Sequence, residues 1–190
     1  MTIQQANYRL KNIIDQFGKD YETACAASLQ AFVASSKGGD MLPMPGHIYG
    51  NDHKERFEAH CRDVENEAVS IVEEQEAVLS NKLTEAPTAD AVNIVQMLAL
   101  RDDLTEEEVN NLLAKYGDNV QTFKAIVSVA ASKGLHNRWT CPQEEKLEDL
   151  RALAAAFHRT FTLQSAEVGH ASTGFLEMLK LQVDSALPLE

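Results

Sequence analysis

The stretch FEAHCRDVENEAVSIVEEQEAV, residues 57–78, decides the fold of this chain. Uncharged residues recur along it at alternating intervals of four and three residues. These residues are Phe57, Cys61, Val64, Ala68, Ile71, Gln75 and Val78. Such spacing is typical of a heptad seam on one side of an α-helix, and the residues between are rich in Glu. The stretch therefore predicts a helix with one packed side and a polar outer side.

The outer side of this predicted helix is strongly acidic. Residues 52–85 contain ten acidic and four basic residues, a net charge of −6 in a chain whose total is −12. The glutamates that avoid the seam are Glu55, Glu58, Glu65, Glu67, Glu73, Glu74 and Glu76. A charged helix side is usually solvated, and the alternative is a partner-binding surface that meets a basic surface on another protein. In both cases the negative charge disfavours binding to nucleic acid or to anionic lipid.

A similar helical pattern fills residues 3–37, which contain no Pro. Its apolar or small positions are Ile3, Leu10, Ile14, Phe17, Tyr21 and Ala24. Two helices of this kind, joined by a turn of about fifteen residues, are expected to pack as an antiparallel hairpin. We therefore predict a helical hairpin as the first domain, residues 1–86.

The connecting segment GGDMLPMPGHIYGNDH, residues 38–53, allows two interpretations. Gly and Pro interrupt helices, so the segment is predicted to be a bend whose Leu42, Ile48 and Tyr49 cover one end of the bundle. The second interpretation is a metal site, suggested by His47, His53, His60 and Cys61. Zinc ligands usually come in close pairs such as C-x-x-C, and no such pair is present. We therefore favour the bend and expect no metal.

Residues 87–135 predict a compact module of three short helices. Thr105 followed by Glu108 forms a capping-box pattern, and Asp118 with Gln121 forms a similar pair. The residues expected in the module's core are Leu98, Leu104, Val109, Leu112, Leu113, Phe123, Ile126, Val127 and Val129. A helix-turn-helix is the alternative, but its third helix would present only Lys124 and Lys133 to phosphate groups. DNA binding needs more phosphate contacts than that, so a packed interaction module is favoured.

The third predicted domain, residues 136–190, is one long C-terminal helix that packs on the bundle. Thr140 is its expected cap and Pro142 lies in its first turn. The apolar stripe keeps its phase through Leu147, Leu150, Ala154, Phe157, Phe161, Gln164, Val168, Ala171, Phe175 and Met178. Gly169 and Gly174 are unfavourable inside a helix. The unbroken phase nevertheless favours one continuous helix over two.

Sequence motifs give no support for catalysis or for a cofactor. A di-iron helical bundle needs two Glu-x-x-His motifs, and the chain has one, at residues 167–170. No phosphate-binding loop, dinucleotide-binding motif, H-E-x-x-H motif or nucleophile elbow is present. The cysteines Cys25, Cys61 and Cys141 are far apart, which is typical of free thiols in a reducing compartment. We therefore expect no cofactor and a protein that is not an enzyme, although an enzyme whose site is assembled only by the fold stays open.

The run VQMLALRDDLTEEEV and the closing AIVSVAASKG, within residues 89–134, resemble segments of small acidic helical proteins of tailed phages and prophages. The resemblance covers about a quarter of the chain and rests on helix punctuation. It implies a virion, assembly or host-interaction protein, and it transfers no catalytic residues.

Together these observations predict an all-α protein: a long helical hairpin, an inserted three-helix module and a long C-terminal helix. The predicted function is protein–protein interaction without catalysis, as a phage or prophage structural or assembly component that oligomerises through its heptad seams. The alternative is an acidic helical regulator or inhibitor that occupies a basic, nucleic-acid-binding site on a partner. The expected location is the cytoplasm, or the virion for a phage protein, because the chain lacks an apolar run long enough for a membrane span and its N-terminus does not resemble a secretory signal.

Overall fold

The computed structural model describes residues 1–35 and 44–189, with the side chains of residues 168 and 170 excepted. Throughout these residues the backbone forms helices, turns and bends and no strand, so the predicted all-α fold is confirmed. The helices are α1 Ile3–Ser35, α2 Asn51–Leu83, α3 Ala89–Leu100, α4 Glu106–Tyr116, α5 Val120–Ser132, α6 Pro142–Thr160, α7 Leu163–Ser165 and α8 Thr173–Ala186. A π-helical turn, Ala166–His170, lies between α7 and α8.

The chain folds into two compact units. The first, which we call the bundle unit, contains Met1–Gln75 and Leu150–Glu190, and the second, the small unit, contains Glu76–Asp149. Helices α2 and α6 contribute residues to both units. The sequence instead suggested divisions after residues 86 and 135, where Pro87 and Gly134 interrupt the helical patterns.

In the bundle unit, α1 and α2 pack side by side and run in opposite directions. The terminal ammonium of Met1 lies 2.7 Å from Glu74, and Arg9 lies 2.7 Å from Glu67. Farther along α1, the ring of Phe17 lies 6.0 Å from that of Phe57. Later positions on α1 thus meet earlier positions on α2, which is the antiparallel arrangement that the two heptad patterns predict.

The heptad seam of α2, residues 57–78, is packed inside the bundle unit over most of its length. Phe57, Cys61, Ala68, Ile71 and Gln75 are buried and Val64 is half-buried. The seventh position departs from the pattern, because Val78 belongs to the small unit and is 49% exposed. The seam therefore ends at Gln75, the last residue that α2 contributes to the bundle unit.

Helix α8 packs antiparallel against α1 through polar contacts at its edge and apolar contacts beneath. Asn7, which is buried, donates hydrogen bonds from Nδ2 to Asp184 Oδ1 at 2.9 Å and to the carbonyl oxygen of Leu187 at 2.7 Å. At Gly18 the helices are so close that a Cβ atom would lie 2.8 Å from Leu176 Cδ1. Glycine at this position thus permits the close approach of the two helices.

The prediction of one continuous C-terminal helix is wrong. Helix α6 ends at Thr160, and Thr162 adopts an extended backbone whose hydroxyl caps α7 by accepting from the Ser165 amide at 3.1 Å. Gly169 then takes a φ of 97°, a left-handed conformation that ends helical geometry and that glycine adopts without steric cost. The chain becomes helical again at Thr173.

The break changes which residues face the core. The buried positions of α8 are Leu176, Leu179, Val183 and Ala186. The predicted stripe residues Gln164 and Met178 are exposed. The side chain of Val168, another stripe position, lies outside the described residues. The apolar stripe is therefore correct up to Phe161 and loses its phase beyond it.

The small unit contains the three helices predicted for the module, held by local caps. The capping box of α4 is present in both directions, because the Thr105 hydroxyl accepts from the Glu108 amide and the Glu108 carboxylate accepts from the Thr105 amide. Helix α5 is capped by Asn119, which accepts from the Thr122 amide at 2.9 Å, so the predicted Asp118 cap is one residue too early. Leu98, Val109, Ile126 and Ala130 form the centre of the module's core.

Candidate interaction surfaces

Only part of the predicted acidic side of α2 is available to a binding partner. Three of its seven glutamates are used to hold the bundle unit together: Glu65 pairs with His158, Glu67 with Arg9 and Glu74 with the chain's amino terminus. Glu76 is half-buried. The remaining three, Glu55, Glu58 and Glu73, are exposed and have no ion pair within residues 1–35 and 44–189. A role of this side in partner binding stays a prediction, and three glutamates would have to supply most of it.

The segment after α1 covers the bundle as predicted, as far as its residues are described. Ile48 is fully buried, and the ring of Tyr49 stacks on Phe32 with centroids 4.6 Å apart. Tyr21 donates its hydroxyl hydrogen to the carbonyl oxygen of Gly46, and desolvation on burial raises the pKa of that phenol. Leu42, the third residue of this prediction, lies outside the described residues.

The histidines of this region pair with carboxylates from different elements. His47 Nδ1 lies 3.3 Å from Glu167 Oε1, and Lys54 Nζ lies 3.5 Å from the same oxygen. His60 Nε2 lies 2.9 Å from Asp20 Oδ2. These are ion-pair distances with poor hydrogen-bond geometry, since neither His60 Nε2 nor Glu167 Oε1 has a hydrogen-bond partner. The contacts tie the bend to the π-helical turn, and α2 to α1.

The alternative interpretation of the bend was a metal site. The structure does not bring its four residues together as one such site: His47, His53, His60 and Cys61. Cys61 is buried, and desolvation raises the pKa of its thiol to about 12, so the thiolate that a metal requires is disfavoured. Across the part of the chain that the structure describes, no group of three or more His, Cys, Asp or Glu side chains could hold a metal ion. The side chain of His170, from the single Glu-x-x-His motif, is not among those described.

An exposed apolar surface lies where α3 meets α4 in the small unit. Leu100 is 86% exposed and Met97 is 66% exposed, and the two lie three residues apart on α3. Beside them is an open groove of about 300 Å³ lined by Ile94, Met97, Leu98, Arg101, Glu108, Asn111 and Leu112. The Arg101 guanidinium donates to Glu108 Oε1 at 2.9 Å at its rim. This surface was not among the sequence predictions. Nine of the twelve residues of α3 are apolar, which is more than one packed side of a helix can bury, and this composition could have indicated it.

A second groove lies between α5 and the beginning of α6, also within the small unit. It encloses about 550 Å³, and its apolar lining includes Phe123, Val127 and Trp139, with acidic residues from the first turns of α6. Trp139 is half-buried and donates its indole hydrogen to Asn110 Oδ1 at 2.8 Å. This groove was not among the sequence predictions either, because the residues that form it come from segments that are separate in sequence.

No protein-family model, curated protein or solved structure matches the chain.

Two further features bear on possible partners. Lys124, the basic residue of α5, lies 2.6 Å from Glu144, and this carboxylate is the main reason that the pKa of the lysine is raised. Glu144 thus partly offsets the charge of this lysine within the small unit. That α5 does not read DNA stays a prediction. Of the helices in the described ranges, none is both apolar enough and long enough to cross a membrane.

Proposed function

We propose that this protein acts by binding protein chains, including further copies of itself, as a structural or assembly component without catalysis. The observation that carries the proposal is the pair Met97 and Leu100, which extend into solvent beside an open apolar groove. Single exposed apolar residues are ordinary, but two large ones at the edge of an apolar groove are typical of a contact surface. Helix α3 lies within residues 89–134, the segment that resembles phage and prophage proteins, and this resemblance supports the proposal.

The heptad seam is a less suitable surface for self-association than α3. Its residues from Phe57 to Gln75 are buried or half-buried by the other helices of the same bundle unit. Exposing them to a second chain would require the bundle to open, at the cost of its apolar core. The α3–α4 surface is already open, so association through it needs no such rearrangement.

The α3–α4 surface is also suited to pairing with itself. Soluble oligomers are most often symmetric, and a two-fold contact brings the same surface of both copies together. Arg101 and Glu108 pair with each other at the groove rim, so this pair adds no net charge that would oppose a second copy. Each chain carries a net charge of −12, so two copies repel each other. Added salt screens that repulsion, so self-association is expected to tighten as salt rises.

The test is sedimentation analysis of purified protein over a concentration series at low and high salt. The variant is Leu100→Asp, and the matched control is Leu181→Asp, which makes the same change at a leucine of α8 that is 67% exposed. Wild type and control are expected to form the same oligomer, and Leu100→Asp is expected to be monomeric. A wild type that stays monomeric at every concentration would reject self-association, and equal loss in both variants would reject the α3–α4 surface.

The acidic regulator is the second candidate. It is favoured by Glu55, Glu58 and Glu73 on α2, which are exposed and have no ion pair among the described residues. Such a surface would occupy a basic site on a partner, and its binding would weaken as salt rises. The two candidates therefore predict opposite dependences on salt. The double variant E55Q/E58Q removes two of these three charges, so it should weaken binding to such a partner.

A further inference from the structure

The groove between α5 and α6 combines an apolar floor with an acidic rim. Phe123 and Val127 lie four residues apart on α5, and Trp139 comes from the segment that precedes α6. The rim is formed by Glu144, Glu145 and Glu148. The groove has a volume of about 550 Å³, which is within the usual range of ligand-binding pockets in proteins.

The negative charge of this rim is not balanced within the part of the chain that the structure describes. Lys124 neutralises Glu144 at 2.6 Å. Glu145 and Glu148 are exposed and, in the ranges that the structure describes, have no ion-pair partner. Residues three apart on a helix are neighbours on its surface, roughly 5–6 Å apart at Cβ, so these two carboxylates form one negative site beside the apolar floor.

Stabilisation of the N-terminus of α6 does not explain all of the acidic residues at this groove. Acidic residues in the first turn of a helix stabilise its positive end, and this accounts for Glu144 and Glu145 in α6. Glu148 lies beyond that first turn, where the effect has largely ended. Its unpaired charge at the groove is therefore not explained by the stability of α6.

We propose that this groove binds an arginine-bearing segment of a partner protein, with the guanidinium at Glu145 and Glu148 and an adjacent apolar side chain against Phe123 and Val127. Arginine fits better than lysine, because its planar group can donate to two carboxylates and can also stack on an indole such as that of Trp139. The site goes beyond the self-association proposed above, since it lies on different helices and takes a partner of different chemistry.

Trp139 makes the site directly observable, because it is the only tryptophan of the chain and it lines the groove. The probe is a short synthetic peptide that contains arginines and leucines between serines and no aromatic residue. A second peptide carries citrulline, which has the shape of arginine without its charge, and a third carries serine in place of leucine. Titration of each peptide is followed by tryptophan fluorescence, and affinity is checked by calorimetry.

The arginine–leucine peptide is expected to change the fluorescence of Trp139 and to bind wild type at least about tenfold more tightly than either altered peptide. The E145Q/E148Q variant is expected to lose about tenfold in affinity, since hydrogen bonds to charged groups contribute about 1.5–3 kcal/mol. The matched control is E55Q/E58Q, which removes the same two charges at the same spacing from exposed positions of α2. It is expected to bind within about twofold of wild type, an outcome that excludes a general effect of net charge.

Several outcomes would overturn the proposal. Equal binding of the citrulline peptide would remove the role of charge, and equal loss in both glutamine variants would indicate a diffuse attraction or the α2 surface. Absence of binding to wild type would show that the groove does not take this kind of segment. Thermal unfolding confirms that each variant is folded. Repeating the titration with Leu100→Asp separates this proposal from the previous one, because peptide binding and self-association are then measured independently.

Discussion

The ring of Phe17 on α1 lies 4.7 Å from the ring of Phe161, the first residue after α6, with an interplanar angle of 55°. Both side chains are fully buried, and Phe161 also stacks on Phe157 at 5.4 Å. Helix α6 thus ends within the apolar packing in the centre of the bundle unit. An aromatic cluster of this kind contributes through buried area and through ring geometry.

Truncation of this contact should strongly destabilise the protein. Phe161→Ala is expected to lower the free energy of unfolding by about 3–5 kcal/mol, because it removes a fully buried ring and leaves a cavity. Phe32→Ala is the comparison, since Phe32 is half-buried at the end of α1 and should lose much less. Urea unfolding followed by circular dichroism measures both. A loss below about 1 kcal/mol for Phe161→Ala would contradict the packing described here.

Acid should weaken the junction of α1 and α8 through Asp184. Hydrogen bonds from Asn7 and from Lys11 hold the pKa of Asp184 below its usual range. A carboxyl group whose pKa is lowered on folding stabilises the protein above its unfolded pKa, and that stabilisation disappears as the pH falls through the folded value. Asp184→Asn keeps the acceptor for Asn7 and removes the charge. This variant should be less stable than wild type near neutral pH and should approach it at acid pH, in urea unfolding at a series of pH values. A difference that does not change with pH would rule out this role for the charge.

The parts of the fold that the sequence predicted correctly are governed by local rules. The seam of residues 57–75 and the stripe of α1 specify two amphipathic helices, and helices joined by a bend pack antiparallel. The Thr105–Glu108 capping box was visible because its donors and acceptors are three residues apart. These features depend on few long-range contacts, so periodicity and spacing were sufficient to predict them.

The missed features depend on tertiary structure. The stripe beyond Phe161 keeps its period in sequence, but the extended backbone of Thr162 and the left-handed Gly169 interrupt the helix and shift the phase. From the sequence, Gly169 was expected to be unfavourable inside a helix, but its left-handed conformation was not predicted. Similarly, no spacing in the sequence indicates that Leu100 faces solvent or that Trp139 meets the acidic turns of α6. Those surfaces exist only after the helices of the small unit have packed.

The three cysteines should differ in reactivity although all are free thiols. Cys61 and Cys141 are buried, whereas Cys25 is half-buried with a pKa that desolvation raises. A disulfide reagent at mildly alkaline pH is expected to modify Cys25 slowly in the native protein and the other two only on unfolding, because the thiolate is the reactive form. Cys25→Ser should remove the slow native reaction. Rapid modification of Cys61 in the native state would indicate that α2 opens within the bundle unit.

The two glycines of the last segment allow a matched test of the helix break. Gly169 has a φ of 97°, whereas Gly174 lies in the first turn of α8 with a φ outside the left-handed region. Among the described residues, neither would place a new Cβ atom within 4 Å of a heavy atom outside its own chain neighbours. The two positions are therefore distinguished by backbone conformation. Gly169→Ala should cost about 1–2 kcal/mol, because a side chain is strained in the left-handed region. Gly174→Ala should be neutral or should stabilise by up to about 1 kcal/mol, because alanine favours a helix.

Urea unfolding of the two alanine variants and of wild type measures these differences. Hydrogen exchange gives a second readout, since residues 161–172 should exchange faster than α6 and α8 on either side of them. If Gly169→Ala were as stable as wild type and residues 161–172 exchanged as slowly as their neighbours, the segment would be a continuous helix in solution. The pattern of the sequence would then be correct and the break wrong. The paired substitution separates these possibilities because a continuous helix would favour alanine at both positions.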